Sequence, residues 1–136
     1  MAMNMVFPFT RDRGRERQVP SGTLSGAPLL INTRPCVALT ARGDSTNTKV
    51  LADGTTITRN VGGAGNLFDS ASVAYDGTWE FAIAGIPTNT TQDTAVYITA
   101  GNVLSLSLTG NTLFGYTDYP RDYVKTVGIA PVRIGN

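Results

Sequence analysis

Short stretches in which apolar and polar residues alternate one by one, each closed by a turn-forming residue, constrain this chain most. Leu104, Leu106 and Leu108 alternate with serine and threonine, and the run ends at Gly110. A period of two places alternate side chains on opposite faces of a β-strand, whereas a helix needs a period of about 3.6. Similar segments recur from residue 19 onward. The sequence therefore predicts an all-β fold, a small single-domain β-barrel or β-sandwich.

The composition agrees with one β-rich domain and restricts its chemistry. The chain has 136 residues, which suits one domain, and 15 Gly and 7 Pro favour turns over helices. The absence of histidine excludes histidine-based acid–base catalysis, catalytic triads and histidine metal ligands. The single cysteine, Cys36, can form neither an internal disulfide nor a thiolate zinc cluster, and we expect it in the core. We therefore expect no catalytic residue, cofactor or metal site.

Targeting signals are also not expected. The first residues have no basic residue ahead of a short apolar run that Pro8 interrupts, which is unlike a signal peptide. No stretch approaches the roughly 20 apolar residues of a membrane helix. The formal net charge of +1 does not indicate a nucleic-acid or membrane partner. We expect a soluble protein that is cytoplasmic when made.

Residues 1–18 combine aromatic and basic side chains and are predicted to form an extended N-terminal arm, separate from a β-rich domain of residues 19–136. In a helix, the arginines would stand four apart as like-charge neighbours around Gly14, which costs stability. In an extended strand they project from one face. A disordered, solvated terminus is the alternative interpretation. The candidate partner-binding residues of the arm are Phe7, Phe9, Arg11, Arg13, Arg15 and Arg17.

Several strands are predicted within the body. Residues 36–39 form a continuous apolar run that is typical of a strand buried on both faces. Trp79 lies in an alternating segment, with Thr78 and the other polar residues facing outward, and it is predicted to be in the core. At the end of the chain, residues 124–130 and 132–134 are predicted to be two strands broken by Pro131.

Two hairpins have a predicted register. The dipeptide at 53–54, Asp-Gly, predicts a two-residue turn with Val50 opposite Ile57. Residues 100–102 predict a three-residue, bulged loop with glycine or asparagine in the left-handed conformation. That loop sets Ile98 opposite Leu104 and Val96 opposite Leu106, so that like residues share a face.

A set of segments in this order resembles the capsid cement (head decoration) proteins of tailed bacteriophages, a family that often carries a misleading recombinase-like description. The segments are residues 25–31, 37–41, 75–81, 93–97, 110–116 and 132–135. The resemblance covers about residues 19–136. It implies a compact, β-tulip-like cement domain, usually a homotrimer, at quasi-threefold positions on the outside of an expanded capsid. The implied partners are the major capsid protein and other copies of this chain, with localisation to the virion after assembly in the host cytoplasm.

The residues themselves agree with an adhesive role. Addition of the arm along a capsid-protein strand would give backbone hydrogen bonds, with Phe7 and Phe9 filling pockets. Tyr116, Tyr119 and Tyr123 around a proline are candidates for the trimer contact or the capsid-facing rim, and a buried structural role is the alternative.

Two other functions remain open at this point. A small nucleic-acid-binding β-barrel would use the arginines on phosphates and its tyrosines, Tyr97 among them, as stacking platforms. Another virion β module, from a tail or baseplate or with glycan-binding activity, would show the same composition.

The cement hypothesis also predicts the effect of a deletion. Removal of residues 1–17 is predicted to leave a folded trimer that no longer attaches to expanded capsids.

Overall fold

The chain is all-β, as predicted. A computed structural model describes residues 4–7, 15–63 and 65–135, and these residues form twelve strands and no helix. The strands are β1 (Met5–Phe7), β2 (Arg15–Gln18), β3 (Pro28–Ile31), β4 (Arg34–Ala38), β5 (Ser45–Val50), β6 (Thr56–Gly62), β7 (Ser70–Ala74), β8 (Gly77–Ala82), β9 (Ala95–Ile98), β10 (Leu104–Ser105), β11 (Thr112–Thr117) and β12 (Ile129–Ile134).

The strands form two sheets and one separate hairpin. The large sheet has six strands in the order β1-β8-β12-β11-β9-β10, and the small sheet has four in the order β2-β7-β4-β3. Strands β5 and β6 pair only with each other, and we call this hairpin the ribbon. All of these strand pairs are antiparallel.

One apolar core lies between the large and small sheets. Trp79 of β8 and Val132 of β12 enter it from the large sheet, whereas Val37 of β4 and Ala74 of β7 enter it from the small sheet. Trp79 is fully buried, as predicted, and its indole N–H donates to the carbonyl of Asp76 at 2.9 Å. Two sheets that share one core are the arrangement of a β-sandwich.

A second, smaller apolar cluster lies on the opposite face of the small sheet. It includes Cys36 and Ala38 of β4, Ala71 and Val73 of β7, and Tyr75. Strand β4 therefore buries side chains on both faces, which confirms the interpretation of its continuous apolar sequence.

The loop at residues 100–102 has the predicted form. Leu104 pairs with Ile98, and Asn102 adopts the left-handed conformation at φ 62°. The predicted continuation of the ladder to Leu106 and Val96 is wrong. Strand β10 ends after two residues, and Val96 pairs with β11 instead.

The hairpin at residues 53–54 exists, but its predicted register is wrong by one residue. Val50 pairs with Thr56, and Ile57 pairs with the residue before Val50. The backbone bonds that close the loop flank residues 52–54, so the loop has three residues. Gly54 takes the left-handed third position at φ 89°, which is the geometry of a three-residue loop with a bulge.

The end of the chain also differs from the prediction. A single strand, β12, runs through Pro131, and residues 124–128 lie outside the named strands. Glu80, the partner of Pro131, donates its own N–H to the carbonyl of Asn4, away from β12. Because adjacent strands alternate between bonded and non-bonded pairs, the missing N–H of Pro131 breaks no bond to β8.

The described parts of the predicted arm belong to the body. Met5–Phe7 pairs with β8, and Arg15–Gln18 pairs with β7. Both ranges are extended, as predicted, but each is an edge strand in a sheet of the body and not part of an arm that is separate from residues 19–136. The physical reason is that β8 and β7 each offer an edge whose N–H and C=O groups need partners. The side chain of Asn4 adds bonds to the carbonyls of Gly26 and Glu80.

Candidate interaction surfaces

Two arginines of the predicted arm, Arg15 and Arg17, lie on the outer face of the small sheet. In β2, Arg15 and Arg17 stand opposite Val73 and Ala71, so they share a face with the small apolar cluster, as the spacing of two predicted. The guanidinium of Arg17 donates to the hydroxyl of Tyr75 at 2.9 Å. Arg34 of β4 lies on the same face, with its guanidinium carbon 4.1 Å from the centre of the Tyr75 ring. Arg17 and Arg34 therefore help to cover their own sheet.

Cys36 lies beneath this basic face and is fully buried. Burial raises the pKa of the Cys36 thiol to about 12, although the cations of Arg17 and Arg34 act in the opposite direction. A thiol with this pKa stays protonated near neutral pH and is a poor nucleophile. The predicted core position of Cys36 is confirmed.

The three candidate tyrosines lie on or beside the large sheet, and two of them pack together. The rings of Tyr119 and Tyr123 are 5.5 Å apart. The hydroxyl of Tyr123 donates to the carboxylate of Glu80 at 2.6 Å. The pKa of Tyr123 is raised, mainly by burial and to a smaller extent by this carboxylate. Lys125 lies 4.5 Å from the Tyr119 ring and donates to the carbonyl of Thr90. These contacts fasten the segment after β11 onto the large sheet.

Tyr116 has a different setting. It stands in β11 opposite Arg133 of β12, and its side chain is 38% exposed. Of the three tyrosines, Tyr116 is therefore the one most available to a partner. Among the predicted arm residues, Phe9, Arg11 and Arg13 lie outside the described residues, and for Phe7 the structure describes only the backbone.

Two groups of apolar side chains are exposed in or beside strands of the large sheet. Val124 is 82% exposed and Val127 is 65% exposed, in the segment that leads into β12. We call this pair, together with Ile129, the loop patch. Near β10 and β11, Leu108 and Leu113 are also exposed. Groups of exposed apolar residues are typical of contact surfaces.

Sequence reasoning missed the ribbon as a surface. It located the hairpin but assigned no face of it to a partner, and in the structure every residue of β5 and β6 except Gly62 is exposed. The available signal was that polar or charged residues occur on both faces of this hairpin, as with Lys49 on one face and Thr48 on the other. A strand that packs on a core shows an apolar face instead.

Metal-type ligands do not cluster in the part of the chain that the structure covers: no group of three or more His, Cys, Asp or Glu could hold an ion there. Within residues 4–7, 15–63 and 65–135, no helix is long and apolar enough to cross a membrane.

Three comparisons with known proteins returned no match. A scan against protein-family models, a search of curated proteins and a search of solved structures each found nothing similar. The surfaces described above are therefore the basis for the functional argument.

Proposed function

We propose that this chain is a structural virion protein, a capsid decoration or cement protein. In this role it binds the outer surface of a phage head at quasi-threefold positions as a homotrimer and stabilises the shell. Support comes from the six sequence segments that resemble cement proteins and from the all-β body.

The observation that carries the proposal is the exposure of apolar side chains on a closely packed body. The loop patch and the leucines near β10 both lie beside strands whose inward side chains are buried, such as Ala130 and Phe114. Ile129 in β12 and Leu113 in β11 are therefore held in place by the large sheet. A protein that joins neighbouring shell subunits needs contact surfaces of this kind, and a stable contact buries about 800 Å² on each partner.

Attachment in this proposal uses surfaces of the body. Strand addition by a free arm is not part of it, because Met5–Phe7 and Arg15–Gln18 are already edge strands in sheets of their own chain. Three copies acting together would raise the overall affinity well above that of one copy, since binding of the second and third copies becomes intramolecular. Charge pairs at the exposed rim add little, on the order of 0–1 kcal/mol each.

The test is to mix the purified chain with undecorated expanded heads and image the particles by cryo-electron microscopy. The expected result is added density at the quasi-threefold positions, with the mass of three chains at each position. Analytical ultracentrifugation of the free chain checks the trimer independently. Heads that stay bare at saturating protein concentration would refute the proposal. Co-sedimentation with tails in place of heads would assign the chain to another virion module.

A further inference from the structure

The ribbon stands apart from both cores of the molecule. It consists of Ser45–Val50 and Thr56–Gly62, and neither strand contributes a residue to the apolar clusters of the described chain. An isolated two-stranded hairpin is at best marginally stable in water. Contact with another surface would therefore stabilise it.

The base of the ribbon is nevertheless fixed to the body. Arg42 forms ion pairs with Asp44 at 3.0 Å and with Asp69 at 2.6 Å, directly beside the first ribbon strand. Gly62 closes the other strand at φ 75°, and a side chain there would collide with the backbone carbonyl of Asn66. The ribbon therefore projects from a defined place.

The two faces of the ribbon differ in chemistry. The first, which we call the basic face, carries two cations and three apolar side chains. Asn47 lies on it as well, so its members are Asn47, Lys49, Leu51, Ile57, Arg59 and Val61. The second, the threonine face, is mainly uncharged and hydroxyl-bearing. Its members are Thr46, Thr48, Val50, Thr56, Thr58 and Asn60.

The cations of the basic face have no ion-pair partner among the described residues. Asp53, at the tip, lies close in sequence, and its carboxylate accepts the N–H of Thr55 at 2.9 Å. Lys49 and Arg59 thus present positive charge beside Ile57, which is 44% exposed. A surface that is complementary to this face carries carboxylates and some apolar area.

A protein surface fits the basic face better than a single-stranded nucleic acid does. Binding of single strands depends on aromatic side chains on which bases stack, and residues 45–62 contain no aromatic residue. An apolar stripe gains nothing from phosphates, but it does gain from apolar atoms of a protein.

We propose that the basic face of the ribbon binds an acidic, partly apolar protein surface. This inference rests on the proposed function for the identity of that surface, which is then the outside of the shell. One ribbon strand of six residues is roughly 20 Å long, so a single basic face is smaller than a standard interface. It acts as a directional contact beside the other surfaces of the body.

The experiment compares two double variants that change the net charge by the same amount on opposite faces. Lys49→Gln with Arg59→Gln removes two cations from the basic face. Thr46→Glu with Thr56→Glu adds two anions to the threonine face. Circular dichroism first confirms that both variants are folded. Binding is measured to expanded heads, to a random copolymer of glutamate and tyrosine, and to oligo(dT).

We expect the glutamine variant to bind heads and copolymer about tenfold more weakly than the unaltered chain at low salt, since each exposed charge pair is worth up to roughly fivefold. The glutamate variant should stay within about threefold. The difference should shrink as salt shortens the range of electrostatic attraction.

Each other outcome has a defined meaning. Equal binding by the unaltered chain and the glutamine variant would overturn this inference and leave decoration standing. If the unaltered chain fails to bind heads, the proposed function is refuted and the copolymer decides the inference. Binding of neither heads nor copolymer overturns both. Tighter binding to oligo(dT) than to the copolymer, lost in the glutamine variant, would identify a nucleic-acid surface and overturn the inference.

Discussion

At the scale of single residues, the buried polar groups show how the molecule covers its sheets. Thr78 is 1% exposed, although the alternation in β8 predicts that it faces outward. Its hydroxyl donates to the carboxylate of Asp118 at 2.8 Å, because the segment after β11 folds back over this part of the large sheet. Sequence alternation identified the strand and the core position of Trp79. It could not identify Thr78 as buried, because the segment that covers it lies 40 residues away.

The buried thiol makes stability depend on pH. The pKa of Cys36 is raised from 9.0 to about 12 in the folded chain, so the unfolded chain loses this proton first as pH rises. The unfolded state then binds fewer protons than the folded state, and the free energy of unfolding falls from about pH 9 upward until the folded thiol also ionises.

We predict a loss of about 1 kcal/mol in the free energy of unfolding between about pH 9 and about pH 10, specifically from Cys36. Urea unfolding at the two pH values measures it. The Cys36→Ala variant is the matched control, because it retains every tyrosine and lysine but has no thiol. An identical pH slope in the variant and the unaltered chain would show that Cys36 does not titrate in this way.

At the scale of elements, local turn chemistry could be predicted and neighbouring strands could not. The loop with Asn102 was found because only a three-residue loop puts like residues on one face. The tip of the ribbon was misjudged by one residue because Asp-Gly fits both two-residue and three-residue loops, and no core selects the register there. The ribbon was not recognised as a contact surface, because the polar residues on both of its faces were not interpreted as a sign that it packs on no core.

The base of the ribbon should be far less tolerant of substitution than its tip. Gly62 and Gly54 both have positive φ, but a Cβ at Gly62 would meet the carbonyl of Asn66, whereas a Cβ at Gly54 meets nothing. We predict that Gly62→Ala lowers the free energy of unfolding by about 2–4 kcal/mol and Gly54→Ala by about 1 kcal/mol. Chemical denaturation measures both. Equal losses in the two variants would mean that the base is not tightly packed.

At the scale of the whole molecule, pairing between distant parts of the chain decides the architecture. Strand β1 forms one edge of the large sheet and β2 forms one edge of the small sheet, so the described N-terminal residues contribute to both layers. The sequence predicted their extended conformation but not their partners, which lie more than fifty residues away along the chain. The arginines at a spacing of two were interpreted as part of an arm that binds a partner. The sequence did not show that Arg15 and Arg17 lie on the outer face of their own small sheet.

Removal of residues 1–17 should therefore destabilise the body, contrary to the prediction from sequence that a folded trimer remains. The deletion removes β1, most of β2 and the bond from Arg17 to Tyr75, and it leaves the edges of β8 and β7 without partners. We expect the thermal midpoint to fall by roughly 10 °C or more.

Replacement of residues 46–61 by a glycine pair is the matched control, because it removes a similar length of chain that contributes nothing to either described core. We expect the thermal midpoint of this ribbon deletion to stay within a few degrees of the unaltered chain, as measured by differential scanning calorimetry. An N-terminal deletion that unfolds at the same temperature as the ribbon deletion would show that β1 and β2 are dispensable for folding. That result would support the prediction of a separate N-terminal arm, since residues that the body does not need for folding would be available to a partner.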